Sequence, residues 1–284
     1  MKRSTIKSLY QDKPVNTEVV VKGWVRSLRE SKAFSFVVLN DGSSQQDLQI
    51  IIDQDTPNYQ EVVKCLTGSA LAIKGTLVES QGKQPIEVQA KEVEILGTAP
   101  QNYPLQKKGT SMEFLREIAH LRPRTNTFGA VFRVRHELAQ ATHKFFSERG
   151  FYYIHTPILT AMDAEGAGEL FRVSTLDAKE PPLDKQGKVI WEKDYFGKEA
   201  FLCVTGQLEA EAYACSMGSV YTFGPTFRSE NSNTTRHLAE FWMIEPEVAF
   251  ADLDEVAELG ADYIQYMIKH ALEHCPEEID FFNR

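Results

Sequence analysis

The chain has 284 residues, 42% of them hydrophobic and 25% charged, with a formal net charge of -9. That length suggests two domains at the usual ~100–200 residues each. The composition suits an ordinary globular protein and contains no run of about 18 apolar residues that would span a membrane. Met1–Tyr10 carries Lys2, Arg3 and Lys7 with no apolar stretch behind them, so no secretory leader is expected. The acidic balance argues against a uniformly nucleic-acid-binding surface, yet leaves room for a local basic patch, because exposed charges are screened beyond about 10 Å. Cys65, Cys203, Cys215 and Cys275 form no C-x-x-C pair, and the expectation is reduced, buried thiols in a cytoplasmic protein.

The first hundred residues read as strands: 18–26, rich in valine; 34–40, followed by the turn signal Asp41-Gly42; 47–52; 70–79, kinked or bulged at Gly75; and 85–96, whose apolar face runs through Ile86, Val88 and Ala90 and resumes at Val93 and Ile95 after a slip. A short helix over 57–66 falls between the third and fourth strands. Five strands with one helix in that place is the layout of an OB-fold barrel, which commonly binds oligonucleotides; another small barrel without a ligand fits the same pattern. Residues 101–125, punctuated by Pro104, Gly109 and Pro123, read as a hinge with a short helix near 112–120.

A long helix over 127–149 carries an apolar stripe of Val131, Val134, Leu138, Ala141 and Phe145, and Gly150 ends it. Strands follow at 151–154, stopped before Pro157, and at 200–205, 219–223 and 239–249. The last helix, 253–274, opens with the D-x-x-E signal of Asp252 and Glu255 and ends before Pro276. Helices mixed with non-alternating strands predict an α+β domain around an antiparallel sheet.

The most informative stretch is 221–247, a strand, a polar loop bearing Arg228, Glu230, Arg236 and His237, and a returning strand that opens with Glu240 and Phe241. An arginine fork suits phosphate, a carboxylate suits an amine, and an aromatic ring can stack a base. A nucleotide pocket and a solvated, salt-bridged hairpin both fit these residues. In the barrel, Arg26, Arg29 and Lys32 make a local basic patch, with Phe34, Phe36 and Gln49 on the following strands.

FRSE (227–230) with RHLAEF (236–241) resembles motif 2 of class II aminoacyl-tRNA synthetases, and the helix 127–149 followed by FYYIHTP resembles their motif 1, with Pro157 at its proline. The longer strings 165–171, 205–213, 221–237 and 240–250 resemble the bacterial asparaginyl-tRNA synthetases in particular. The resemblance implies an OB-fold anticodon-binding domain at 1–100, a hinge at 101–125 and a class II catalytic domain at 126–284. It implies ATP-dependent activation of asparagine and its transfer to tRNA(Asn), in the cytoplasm, by a homodimer joined through motif 1 at Pro157.

By the same resemblance, Arg228 holds the α-phosphate of ATP and is the catalytic residue, Glu230 meets the adenine amino group and Phe241 stacks on adenine. Arg236 or His237 reaches the γ-phosphate. Glu165, in a loop loosened by Gly166 and Gly168, accepts the α-ammonium of asparagine, and Gln207 fixes the substrate from the pocket floor. Arg29, Phe36 and Gln49 bind the anticodon. Aspartyl enzymes carry Q-L-x-K at the pocket strand, where this chain has Gln207-Leu208-Glu209-Ala210, so a lysine that would neutralise aspartate is absent and Glu211, or else Glu209, is expected to read the amide.

A third motif, G-x-E-R, and the acidic segment that holds Mg²⁺ in this family are not found in the sequence. The expectation is therefore a catalytic domain incomplete at its C-terminus, inactive as the 284-residue chain alone, with no metal ligands in it. A truncated RNA-binding paralogue and an aspartyl enzyme of relaxed specificity are the alternatives.

Overall fold

A computed structural model describes residues 2–106, 109–162, 164, 170–231, 234 and 236–284. The chain divides into two compact units, Met1–His136 with His274–Arg284, and Glu137–Glu273.

The first unit opens with α1 (Ile6–Asp12), whose start is capped by the Thr5 hydroxyl. Five strands follow: β1 (Glu18–Glu30), β2 (Phe34–Asn40), β3 (Leu48–Asp53), β4 (Ala70–Glu79) and β5 (Ile86–Gly97). They close into a barrel in the order β1-β2-β3-β5-β4, sealed by the parallel β3–β5 pair. Alternation along each strand sends Val19, Val21, Val37, Leu39, Ile50, Ile73 and Val88 inward as the core. The expected bulge lies at Gly75, where the register slips past Lys91. A Cβ there would come within 2.2 Å of the Gln89 carbonyl oxygen, so the close approach requires glycine. The short helix is only α2 (Tyr59–Val62), because Asn58 adopts φ 66° just before it. It still plugs the barrel with Tyr59, Val62 and Cys65. α1 is absent from the strand reading of the sequence: its two turns bury just Ile6 and Leu9, too few positions for a periodic signal.

Past the barrel come α3 (Met112–Glu117) and α4 (Asn126–Glu148), which crosses the boundary between the units. At the end of the chain, residues 276–282 form a helix that belongs to the first unit. Its Glu277 accepts bonds from Ser44 (2.9 Å) and Gln46 (2.6 Å), and its buried Glu278 pairs with Arg133 at 2.6 Å.

In the second unit, α4 is followed by β6 (Tyr152–Tyr153), β7 (Leu159–Thr160), β8 (Arg172–Val173), β9 (Ala200–Leu202), α5 (Gln207–Met217), β10 (Ser219–Phe227), β11 (Glu240–Val248) and α6 (Leu253–His274), the terminal helix of the first unit being α7. β10 and β11 are antiparallel, and β6 joins β10 in parallel. β7, β9 and β8 form a second, antiparallel sheet. The capping box expected at α6 is present, with Asp252 and Glu255 bonding each other's backbone N–H at 3.0 Å.

The two faces of the β10–β11 hairpin have different tasks. Tyr221, Phe223 and Ile244 pack against Phe145 and Phe146 of α4 and Leu259, Tyr263 and Tyr266 of α6. The opposite face carries Val220, under Ala210 and Ala214 of α5, and then a run of polar residues. Of the four thiols, Cys65, Cys203 and Cys275 are buried as expected, whereas Cys215 on α5 is exposed.

Candidate nucleotide, amino-acid and RNA sites

The β10–β11 register explains how the hairpin gathers its chemistry. Thr226 pairs with Phe241, and the Arg228 N–H continues the ladder to the Ala239 carbonyl at 3.1 Å. Arg228 and Phe241 are thereby diagonal neighbours on one face. The Arg228 guanidinium stands 5.7 Å from the centre of the Phe241 ring and 3.8 Å from the Glu230 carboxylate. It also reaches the Met243 sulfur at 3.9 Å. Arg228 and Phe241 are half-buried, so a cation and an aromatic face are presented together at the mouth of the hairpin. Arg228 and Glu230 sit just beyond β10 rather than within a strand.

The loop residues Arg236 and His237 are exposed and are held locally: the Arg236 N–H donates to the Thr234 hydroxyl at 3.3 Å, and that hydroxyl also bonds the His237 ring. Glu165, Gly166 and Gly168 lie outside the described residues.

Further along the same face, at two-residue steps from Phe241, come Met243, Glu245 and Glu247, each step about 7 Å. Glu245 is a centre of the unit that sequence reasoning missed. Its carboxylate accepts from the Thr222 hydroxyl at 2.9 Å, the Gly206 N–H at 3.2 Å and the Thr205 hydroxyl. It thus satisfies an N–H at the start of α5 and fixes where that helix begins. The signal in the sequence was its place two residues along the strand from Met243, but nothing local reveals that Thr205 and Gly206 meet it.

The segment 207–211 is the first turn of α5, not a strand. Gln207 donates to Glu211 at 2.9 Å, as residues four apart on a helix can, and both side chains are exposed. Burial, with Glu211 and then Glu245 adding to it, pushes the Glu247 carboxyl up, so Glu211 lies within electrostatic reach of the end of the acidic row. Glu209 instead acts on Cys203, whose thiol is pushed up chiefly by burial. Ala210 is 0% exposed and packs with Ala214, Val220 and Ile154. Pro157 is exposed, on the irregular segment between β6 and β7.

On the barrel, β1 and β2 put Arg29 opposite Phe36, and Val38 of β2 faces Gln49 of β3. Phe36 points outward, not into the core, since the buried residues of β2 are Ser35, Val37, Leu39 and Asn40. The Arg29 guanidinium lies 5.2 Å from its ring, and Phe34 meets it edge-on at 5.0 Å. Gln49 donates to Glu87 at 2.8 Å. Cation, aromatic and amide therefore share one outer face.

Comparison with known proteins agrees with this layout. Residues 111–284 match the family described as tRNA synthetases class II (D, K and N), and residues 19–96 match the OB-fold nucleic acid binding domain. All of the chain aligns with 62% of the asparagine–tRNA ligase of Desulfitobacterium hafniense at 56% identity, and with 61% of that of Parabacteroides distasonis at 55%. The chain thus spans about 62% of the length of the curated relatives it matches. The crystal structure of asparaginyl-tRNA synthetase from Pyrococcus horikoshii complexed with asparaginyl-adenylate has the same fold, with a TM-score of 0.85 over 99% of this chain and 61% of that one at 24% identity.

Proposed function

The chain belongs to the class II tRNA synthetases (D, K and N), and from that premise we propose that it serves the ATP-dependent activation of asparagine and its transfer to tRNA(Asn). The observation that carries the reading is the hairpin face on which Arg228, Glu230 and Phe241 converge while Glu245, Glu247, Gln207 and Glu211 lie toward the α5 end. One face offers a nucleotide end and an amino-acid end, as formation of an aminoacyl-adenylate requires. The full-chain identity to asparagine–tRNA ligases supports asparagine as the amino acid.

In this reading adenine stacks on Phe241, with its amino group toward Glu230, and Arg228 takes the α-phosphate. The carboxylate of asparagine attacks that phosphorus in line and pyrophosphate leaves. Position and electrostatics supply the catalysis without a side-chain base. Arg236 or His237 takes the γ-phosphate, and Glu165 the α-ammonium. Gln207 and Glu211 hold the asparagine side. Mg²⁺ accompanies ATP as part of the substrate; no cluster of His, Cys, Asp and Glu arranged for a metal occurs among the described residues, and none is assigned to it. Arg29, Phe36 and Gln49 take the anticodon. The whole protein acts in the cytoplasm as a homodimer joined around Pro157.

The test is pyrophosphate exchange into ATP by the whole protein. Asparagine supports exchange, and Arg228→Ala lowers kcat by about 10²–10³-fold, the usual loss when one donor to a developing oxyanion is removed. Phe241→Ala raises KM for ATP. Exchange that depends on a different amino acid, or that survives Arg228→Ala, overturns the reading.

A further inference from the structure

The first unit contains a cavity of about 650 Å³ that none of Arg29, Phe36 or Gln49 lines. Its size lies within the ~300–1,000 Å³ of small-ligand sites. Its walls include Trp24, Arg26, Ser27, Val38, Tyr103 and Arg124. Trp24 sits on the outside of β1 and is 44% exposed, an unusual place for the largest side chain unless its face is used. The Arg124 guanidinium lies within cation–π reach of two rings, 5.8 Å from the centre of Trp24 and 6.0 Å from that of Tyr103, and donates to the Tyr103 hydroxyl at 3.1 Å.

The cations of the cavity are not equivalent. Arg26 has Asp47 at 3.8 Å and Arg133 has Glu278 at 2.6 Å. Arg124 has no carboxylate within 4 Å among the described residues, so its charge is available to an anion. The cavity is also continuous with the barrel face. Ser27 and Val38 line it and are cross-strand partners, and Arg29–Phe36 is the pair two residues along the same ladder. Trp24, opposite Asn40, lies two such steps from Phe36 along β2, about 14 Å, the span of two nucleotides in an extended strand.

We propose that this cavity is a second RNA subsite, in which Trp24 stacks a base and Arg124 takes the adjoining phosphate of a strand that continues from Phe36. The proposal rests on reading the barrel as an RNA-binding module. Aromatic and guanidinium groups placed together are what unpaired nucleotides use.

The experiment is a titration of the 284-residue chain with single-stranded RNA of about 12 nucleotides, inside the ~4–16-nucleotide range of such barrels, at several salt concentrations. Trp24→Leu weakens binding by roughly five- to hundredfold, the loss of one stacked base. Arg124→Gln lowers the salt slope by about 0.7, one phosphate contact on a single strand. Phe36→Ala weakens binding independently of either. Should Phe36→Ala weaken binding while both cavity variants keep wild-type affinity and slope, the subsite is refuted and the barrel reading stands. Should the wild-type chain bind no RNA, the barrel reading fails and takes the subsite with it. Should Trp24→Leu fail to fold, the slope of Arg124→Gln, a change at an exposed side chain, decides alone.

Discussion

Glu247 illustrates how the acidic row is tuned. Burial, then Glu211 and Glu245, raise its carboxyl above the usual 4.5. The folded chain therefore binds that proton more tightly than the unfolded chain does. Stability is unaffected well below 4.5, falls as pH rises above it, and remains lower once pH passes the folded pKa. Glu247→Gln removes the ionised form without changing shape. Its Tm should exceed that of wild type at pH 7 and equal it well below pH 4.5, as measured by thermal scans of the chain at both pH values. An equal shift at both would mean that packing, not charge, is responsible.

At the scale of elements, α5 decides which residues can meet a substrate. Gln207 and Glu211, one turn apart, are exposed and bonded to each other, whereas Ala210, about 60–100° round the helix from them, is sealed against Ala214, Val220 and Ile154. Glu211→Gln in the whole protein is expected to lower kcat/KM for asparagine and relax the exclusion of aspartate, because nearly isosteric substrates are separated by polarity alone. Glu209→Gln is expected to leave the ratio unchanged. Ala210→Lys places a long cation in a packed interior and is expected to lower Tm before it alters specificity. A Tm unchanged in Ala210→Lys together with a switch to aspartate would show that position 210 opens onto the substrate. A collapse of the asparagine-to-aspartate ratio on Glu209→Gln alone would assign the amide to the other glutamate.

For the whole molecule, the two units are stitched by a chain that leaves the first at α4 and returns to it at α7. The stripe along α4 is only partly used: Ala141 and Phe145 are buried, while Val131 stays exposed, as does Phe132 beside it. Tyr152 and Tyr153 of β6 are exposed as well. Exposed apolar side chains such as Tyr152 and Tyr153, beside Pro157, mark an interaction face, and a two-fold contact is self-complementary. The whole protein is therefore expected to sediment as a dimer at micromolar concentration, and Tyr152→Asp to shift it toward monomer. Sedimentation of the wild type as a monomer would contradict the pairing proposed around Pro157.

The five barrel strands were legible because each leaves a period-two pattern, punctuated by turns such as Asp41-Gly42 and a slip opposite Gly75, whereas their neighbours in the closed sheet were given only by the resemblance. The start of α6 was legible because capping is local chemistry. The closeness of Arg228 to Phe241 was legible in part, since an aromatic opening the return strand of a hairpin falls near its loop. Other features depended on atoms far apart in the chain. Phe36 could have faced the core or solvent, and only the alternation fixed by Ser35 and Val37 turned it outward. Segment 207–211 lacks the marks of a helix start, because its capping partner, Glu245, arrives from β11 nearly forty residues later. The cavity beside Trp24 likewise exists only once residues 103–133 return to the barrel. Periodicity and caps are written within a few residues of one another, whereas a site assembled from separate strands is decided by which of them the fold makes neighbours.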